Sequence, residues 1–205
     1  MKKRIFAVLL MVAILFTLAA CNENPESNVT TTAPIETEPS TAPAPTAPAI
    51  ATPDENGNYI FNGGFELTDF TGWIVNNEVT EELDIYTRTT DCYEGVQSLH
   101  FYSGANVVDF TVEQKLNGLE AGTYKLTAWV QGDTAGDENS SVYFYVVING
   151  EMQKVDSKLS GYVAWNCAEL PGIVVPEGAE VTVGVCVKNA AGGWGTIDAI
   201  TLVKE

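Results

Sequence analysis

A single histidine, His100, stands among 205 residues, which excludes a histidine-rich metal centre and argues against a Ser-His-Asp hydrolase. Cysteine is nearly as scarce. Beyond Cys21 there are only Cys92, Cys167 and Cys186, an odd number without metal-ligand spacing, so at most one disulfide can form inside the chain. A Cys167–Cys186 bond is open only if their strands are neighbours. Basic residues are few: ten against 27 acids, for a net charge of −17. So acidic a surface disfavours nucleic acid and polyanionic glycans and leaves neutral polymers acceptable. Acids are plentiful, yet none sits in a recognisable frame of paired general acid and base, which argues against a glycosidase. Helical periodicity is essentially absent, and the apolar run Ile5–Leu15 is short for a spanning helix.

That run belongs to an export signal over residues 1–20, with basic Lys2, Lys3 and Arg4 before it and small residues after it. The ending Leu18-Ala19-Ala20-Cys21 resembles the lipobox of bacterial lipoproteins, which implies that Cys21 is lipidated and becomes the first mature residue. An ordinary cleavable signal followed by an incidental cysteine is the alternative. Residues 22–55 then hold seven Pro, seven Thr and six Ala with six acids and no base. Such a chain cannot bury enough surface to offset its ordering entropy, so residues 21–55 read as a lipidated cysteine and an extended, disordered spacer. Anchor and spacer together place the next domain on the extracellular face of the bacterial cell membrane. Loss of Lys2, Lys3 and Arg4 leaves seven bases against 27 acids in the mature chain, a net charge of −20.

Residues 56–205 are enough for one domain with its own core. Alternation of period two dominates: Tyr124, Leu126, Ala128 and Val130 share one face, with Lys125, Thr127, Trp129 and Gln131 on the other. The same split puts Leu99 and Phe101 inward and His100 and Tyr102 outward. It puts Val142, Phe144, Val146 and Ile148 inward against Tyr143, Tyr145 and Val147, and sets Val181, Val183, Val185 and Val187 against Thr182, Gly184, Cys186 and Lys188. Asn149-Gly150 and Pro176-Glu177-Gly178 supply turns. About ten short strands result, and an antiparallel all-β sandwich of jelly-roll type is the natural solution.

Near the C-terminus, Gly192-Gly193-Trp194-Gly195-Thr196 places an aromatic plate between glycines just ahead of a closing strand. Read from spacing, this is either a recognition loop or a tryptophan capping the core beside a tight turn.

Asn62-Gly63-Gly64-Phe65-Glu66 with Gly72-Trp73, Ala128-Trp129-Val130-Gln131-Gly132 and Gly192-Gly193-Trp194-Gly195-Thr196-Ile197-Asp198 resemble the galactose-binding-like jelly rolls of carbohydrate-binding modules. The pattern is most similar to family 61, the β-1,4-galactan-binding modules attached to bacterial endo-galactanases. This chain has no room for a galactanase barrel, and its closing strand reads Ile197-Asp198-Ala199-Ile200 where the family has two adjacent acids.

The resemblance implies a structural Ca²⁺ held by Glu66 and Asp198 with backbone carbonyls of the 93–98 turn, and a non-catalytic domain that binds a neutral plant polysaccharide, galactan foremost. A sugar site needs a flat apolar plate for the C–H face of a pyranose, flanked by groups that take its hydroxyls. Trp194, Trp129 and Trp165 are the expected plates, and Trp73 is assigned to the core. His100, Tyr102, Gln131 and Lys188 are the expected hydroxyl partners, unless they belong to an ordinary solvated face. The competing function is a protein-protein adhesin or assembly subunit of the same fold.

Overall fold

The computed structural model describes residues 49–77 and 83–205; the export signal, Cys21 and most of the spacer lie outside the described residues. Ten strands run through the described chain: β1 (Ile74–Asn77), β2 (Leu83–Tyr86), β3 (Ser98–Tyr102), β4 (Val108–Leu116), β5 (Gly122–Asp133), β6 (Ser141–Ile148), β7 (Glu151–Ser157), β8 (Gly161–Val175), β9 (Val181–Asn189) and β10 (Trp194–Lys204). They form two five-stranded antiparallel sheets, ordered β1-β4-β9-β6-β7 and β2-β3-β10-β5-β8. This is the β-sandwich that the alternation predicts.

The inward sets pack as their period requires. Leu99, Phe101, Leu126, Ala128, Val130, Phe144, Val146, Val183, Val185 and Val187 are fully buried between the sheets. Each large apolar side chain removed from water contributes about 1.5–3 kcal/mol, so a few such residues per strand outweigh any local propensity. Trp73 joins this core, stacked on Phe65 at 5.5 Å, with its indole N–H donated to the Asn62 carbonyl.

The folded body begins ahead of Asn56, since Ala51 already donates its N–H to the Asn117 carbonyl and packs on the core. Asn58 and Tyr59 then run beside the end of β10, where Tyr59 N–H reaches the Leu202 carbonyl and the Asn58 side chain accepts from Leu202 N–H. Strand β8 runs through Pro171 and Gly172 to Val175. The register against β5 shifts across Pro171 and Gly172, between Leu126↔Leu170 and Tyr124↔Ile173, and β8 is an edge strand, where proline is tolerated. Cys167 and Cys186 belong to different sheets, on β8 and β9, so the disulfide considered from sequence does not form and both thiols are free.

Candidate carbohydrate site

Residues paired across antiparallel strands project to the same side of a sheet, so the registers define the outer face of the second sheet row by row. One row is Tyr102–Trp194–Asp133, the next His100–Thr196–Gln131, and the third Asp198–Trp129–Cys167. Trp165, two residues before Cys167 on β8, belongs to the same side. Six of the seven expected sugar-binding residues thus share one face. Lys188 does not: it projects from β9 on the opposite side of the sandwich, 3.9 Å from the Asp109 carboxylate. Alternation says whether a side chain points outward but not from which sheet.

The tryptophans Trp194, Trp129 and Trp165 are all half-buried, neither sealed in the core nor fully exposed. Trp129 is overlaid by the ring of Tyr93, centroids 3.9 Å apart and planes within 10°. Trp165 meets the same tyrosine edge-on at 5.7 Å. Trp194 opens β10 and lies 6.2 Å from the exposed Tyr162 ring, while Tyr102 on the neighbouring strand is 48% exposed. The solvent-facing plate over Trp129 is therefore Tyr93, a loop residue that alternation could not nominate.

His100 and Gln131 depart from expectation. Both lie on the outer side of their sheet, yet both are buried, because neighbouring segments fold back over them. Tyr86 stacks on the His100 ring at 3.6 Å, and Asp84 holds its Nδ1 at 2.6 Å. Burial lowers the His100 pKa below the usual histidine value, with the Asp84 carboxylate acting in the opposite sense. Gln131 accepts the Val163 N–H at 2.6 Å beneath the start of β8. Its Nε2 and the adjacent Thr196 Oγ1 are buried without partners, an exception to the rule that buried polar atoms are paired.

Glu66 and Asp198 both reach the turn after Cys92, where they meet backbone N–H groups. Glu66 Oε1 accepts the N–H groups of Val96 and Gln97, and Asp198 Oδ2 accepts those of Tyr93 and Glu94. The two carboxylates flank Gly64, and a Cβ on Gly95 would collide with the Glu66 carboxylate. Burial pushes the Asp198 pKa up to about 7, partly offset by those N–H donors. Such a carboxylate, desolvated and without a cationic partner among the described residues, suits a hard cation that takes oxygen ligands. Among the described residues no three His, Cys, Asp or Glu side chains converge on a metal position, so further ligands would be backbone carbonyls, neutral side-chain oxygens or water.

The outer face of the first sheet carries a second polar and aromatic array. Tyr145 lies across Gly184, where any Cβ would strike the tyrosine ring, and its hydroxyl donates to Glu113 Oε1 at 2.6 Å. Asn76 bridges Thr111 and Glu113, and Lys154 sits 4.5 Å over the Tyr143 ring. Beside this array an open groove of about 580 Å³ is lined by Val75, Asn76, Asn77, Asp109, Phe110 and Thr111.

A family model described as a carbohydrate binding domain matches residues 57–166, more than half of the chain. The structure is similar to TmCBM61, solved in complex with β-1,4-galactotriose, with a TM-score of 0.62 and 25% identity over 72% of this chain and 99% of that one. It shares its fold with a family 16 carbohydrate-binding module (TM-score 0.52, 16% identity, 71% of this chain and 99% of that one). The same holds for the C-terminal family 22 module of Clostridium thermocellum Xyn10B (TM-score 0.52, 20% identity, 74% and 97%). No curated protein matches by sequence. With the sandwich, its aromatic faces and the matched span in agreement, the chain belongs to the carbohydrate binding domain family.

Proposed function

We propose that this domain holds a neutral plant polysaccharide, β-1,4-galactan foremost, without cleaving it, and does so from the cell surface through a lipid on Cys21. The observation that carries the reading is the run of accessible rings on one sheet face, from Tyr93 over Trp129, past Trp165, to Trp194 and Tyr162. Trp194 and Trp129 lie on neighbouring strands two rows apart, roughly 13 Å along the sheet, a span suited to an oligosaccharide rather than one ring. The galactotriose bound by TmCBM61 supports the choice of glycan. An exposed face desolvates little of its ligand, so each contact is weak and reversible, and many anchored copies supply avidity. A Ca²⁺ at Glu66 and Asp198 would tie the opening segment to β10 and stabilise the fold by binding it alone.

A second location is favoured by the Tyr145–Glu113 pair, which fixes an aromatic ring flat on the first sheet beside an open groove. Affinity electrophoresis of the mature chain through galactan, xylan and arabinan gels separates the readings. Retardation by galactan lost in Trp194→Ala or Tyr93→Ala supports the first face, and loss in Tyr143→Ala alone supports the second. Unretarded migration in all three gels overturns sugar binding and favours a protein-protein adhesin.

A further inference from the structure

A cavity of about 220 Å³ opens at one end of the sandwich, lined by Thr134, Ser140, Ser141, Val142, Ser157, Lys158, Leu159 and Ser160. Five of these eight residues carry hydroxyls, one an ammonium, and two are aliphatic. The volume lies below the range of drug-sized pockets, on the scale of a single small polyol.

Its walls are braced rather than loose. Asn166 Nδ2 donates to the Lys158 carbonyl and Ser160 Oγ, and Gln131 holds Val163 just beyond. On the other side Ser140 Oγ accepts Ala190 N–H, and Asn189 Nδ2 donates to the Asp133 carbonyl while its Oδ1 is buried with no partner. Lys158 makes no ion pair among the described residues, although acids outnumber bases 27 to 10. Five hydroxyls and one exposed ammonium offer donors and acceptors of the kind a polyol takes.

Position gives the cavity its role. Thr134 directly follows Asp133, which pairs with Trp194, and Ser160 directly precedes Gly161 and Tyr162. The cavity therefore adjoins the end of the aromatic face where Trp194 and Tyr162 meet.

We propose that this cavity is a terminal subsite that takes one neutral pyranose at a chain end, with the following residues of the glycan laid over Tyr162 and Trp194. This rests on the saccharide reading above and deepens it: the domain reads chain ends rather than chain interiors. Stoichiometry is the direct consequence, since an end-reader binds one copy per chain whatever the chain length.

The test titrates the ¹⁵N-labelled mature chain with D-galactose and with β-1,4-galactotriose, and measures stoichiometry calorimetrically on galactan of known chain length. The expected result is that galactose moves the amides of Thr134, Ser140 and Ser157–Ser160, with one copy bound per galactan chain. Ser157→Leu, which fills the cavity, and Lys158→Ala, an exposed change outside the core, should each weaken galactotriose binding about tenfold. Several copies per chain, with galactotriose moving the Trp194 and Trp129 indole signals but no cavity amide, overturns the terminal subsite and leaves galactan binding intact. Wild-type affinity in Lys158→Ala together with a folded Ser157→Leu has the same meaning. No response to either sugar anywhere overturns both readings.

Discussion

The Tyr93 ring lies flat on the Trp129 indole, 3.9 Å between centroids, and its backbone N–H is held 2.7 Å from the Asp198 carboxylate. One loop residue thus links the aromatic face to the acidic clamp. If Tyr93 is the plate a sugar meets, Tyr93→Ala should weaken galactotriose binding by about tenfold, equivalent to roughly 1.4 kcal/mol, within the usual range for an aromatic contact. Trp129→Ala should weaken binding and also lower the melting temperature, because it removes the support beneath Tyr93. Calorimetry paired with thermal denaturation checks both. A Tyr93→Ala protein that binds better would mean that Trp129 is the plate and Tyr93 its cover.

The core could be read directly from the chain because period-two alternation needs no partner: Tyr124, Leu126, Ala128 and Val130 point inward whichever strands lie beside them. The outer faces obey another logic. His100 and Gln131 project outward from their strands, but Tyr86 and the start of β8 close over them, contacts set by residues 14 and 32 positions away. Lys188 shares the outward parity of Gln131 and sits on the other sheet, since sheet membership depends on strand order rather than on parity. Tyr93 lies outside any strand, so no alternation marks it, and only the 105-residue link to Asp198 brings it onto the face.

Calcium should act through Glu66 and Asp198. Millimolar Ca²⁺ should raise the melting temperature of the mature chain, and excess chelator should lower it. A ligand at 100 times its dissociation constant adds about 2.7 kcal/mol. Glu66→Gln should abolish the Ca²⁺-dependent part while preserving the sandwich, because Gln can still accept the Val96 and Gln97 N–H groups through its carbonyl oxygen. A melting temperature indifferent to both Ca²⁺ and chelator removes the metal from the account.

His100 gives the domain a pH dependence of known sign. Burial favours the neutral ring in the folded state and lowers its pKa below that of the unfolded chain. Between those two values the unfolded chain binds the extra proton. The histidine's contribution is complete above about pH 6.5 and is lost as pH falls through the folded value. Thermal melts of the wild type and His100→Gln, compared from pH 7.5 down to pH 5, should show the wild type losing stability relative to the variant. Asp84→Asn should steepen that loss, since the Asp84 carboxylate is the main group favouring the protonated ring.

Gly184 tests the other face. A methyl group there would meet the Tyr145 ring within 2.6 Å of its hydroxyl oxygen, and that ring is itself only 2% exposed. Gly184→Ala must tilt the tyrosine away and break its 2.6 Å bond to Glu113, at a cost of about 1–3 kcal/mol from overpacking. Tyr145→Phe removes the bond but keeps the ring in place, and should cost about 1–2 kcal/mol by leaving the Glu113 carboxylate one donor short. Chemical denaturation of the two variants measures these costs. Galactan retardation reports on function: if only the face of Trp194 and Tyr93 binds sugar, both variants should migrate as the wild type does once corrected for any unfolded fraction. A folded Gly184→Ala that is no longer retarded would move the binding site to the first sheet.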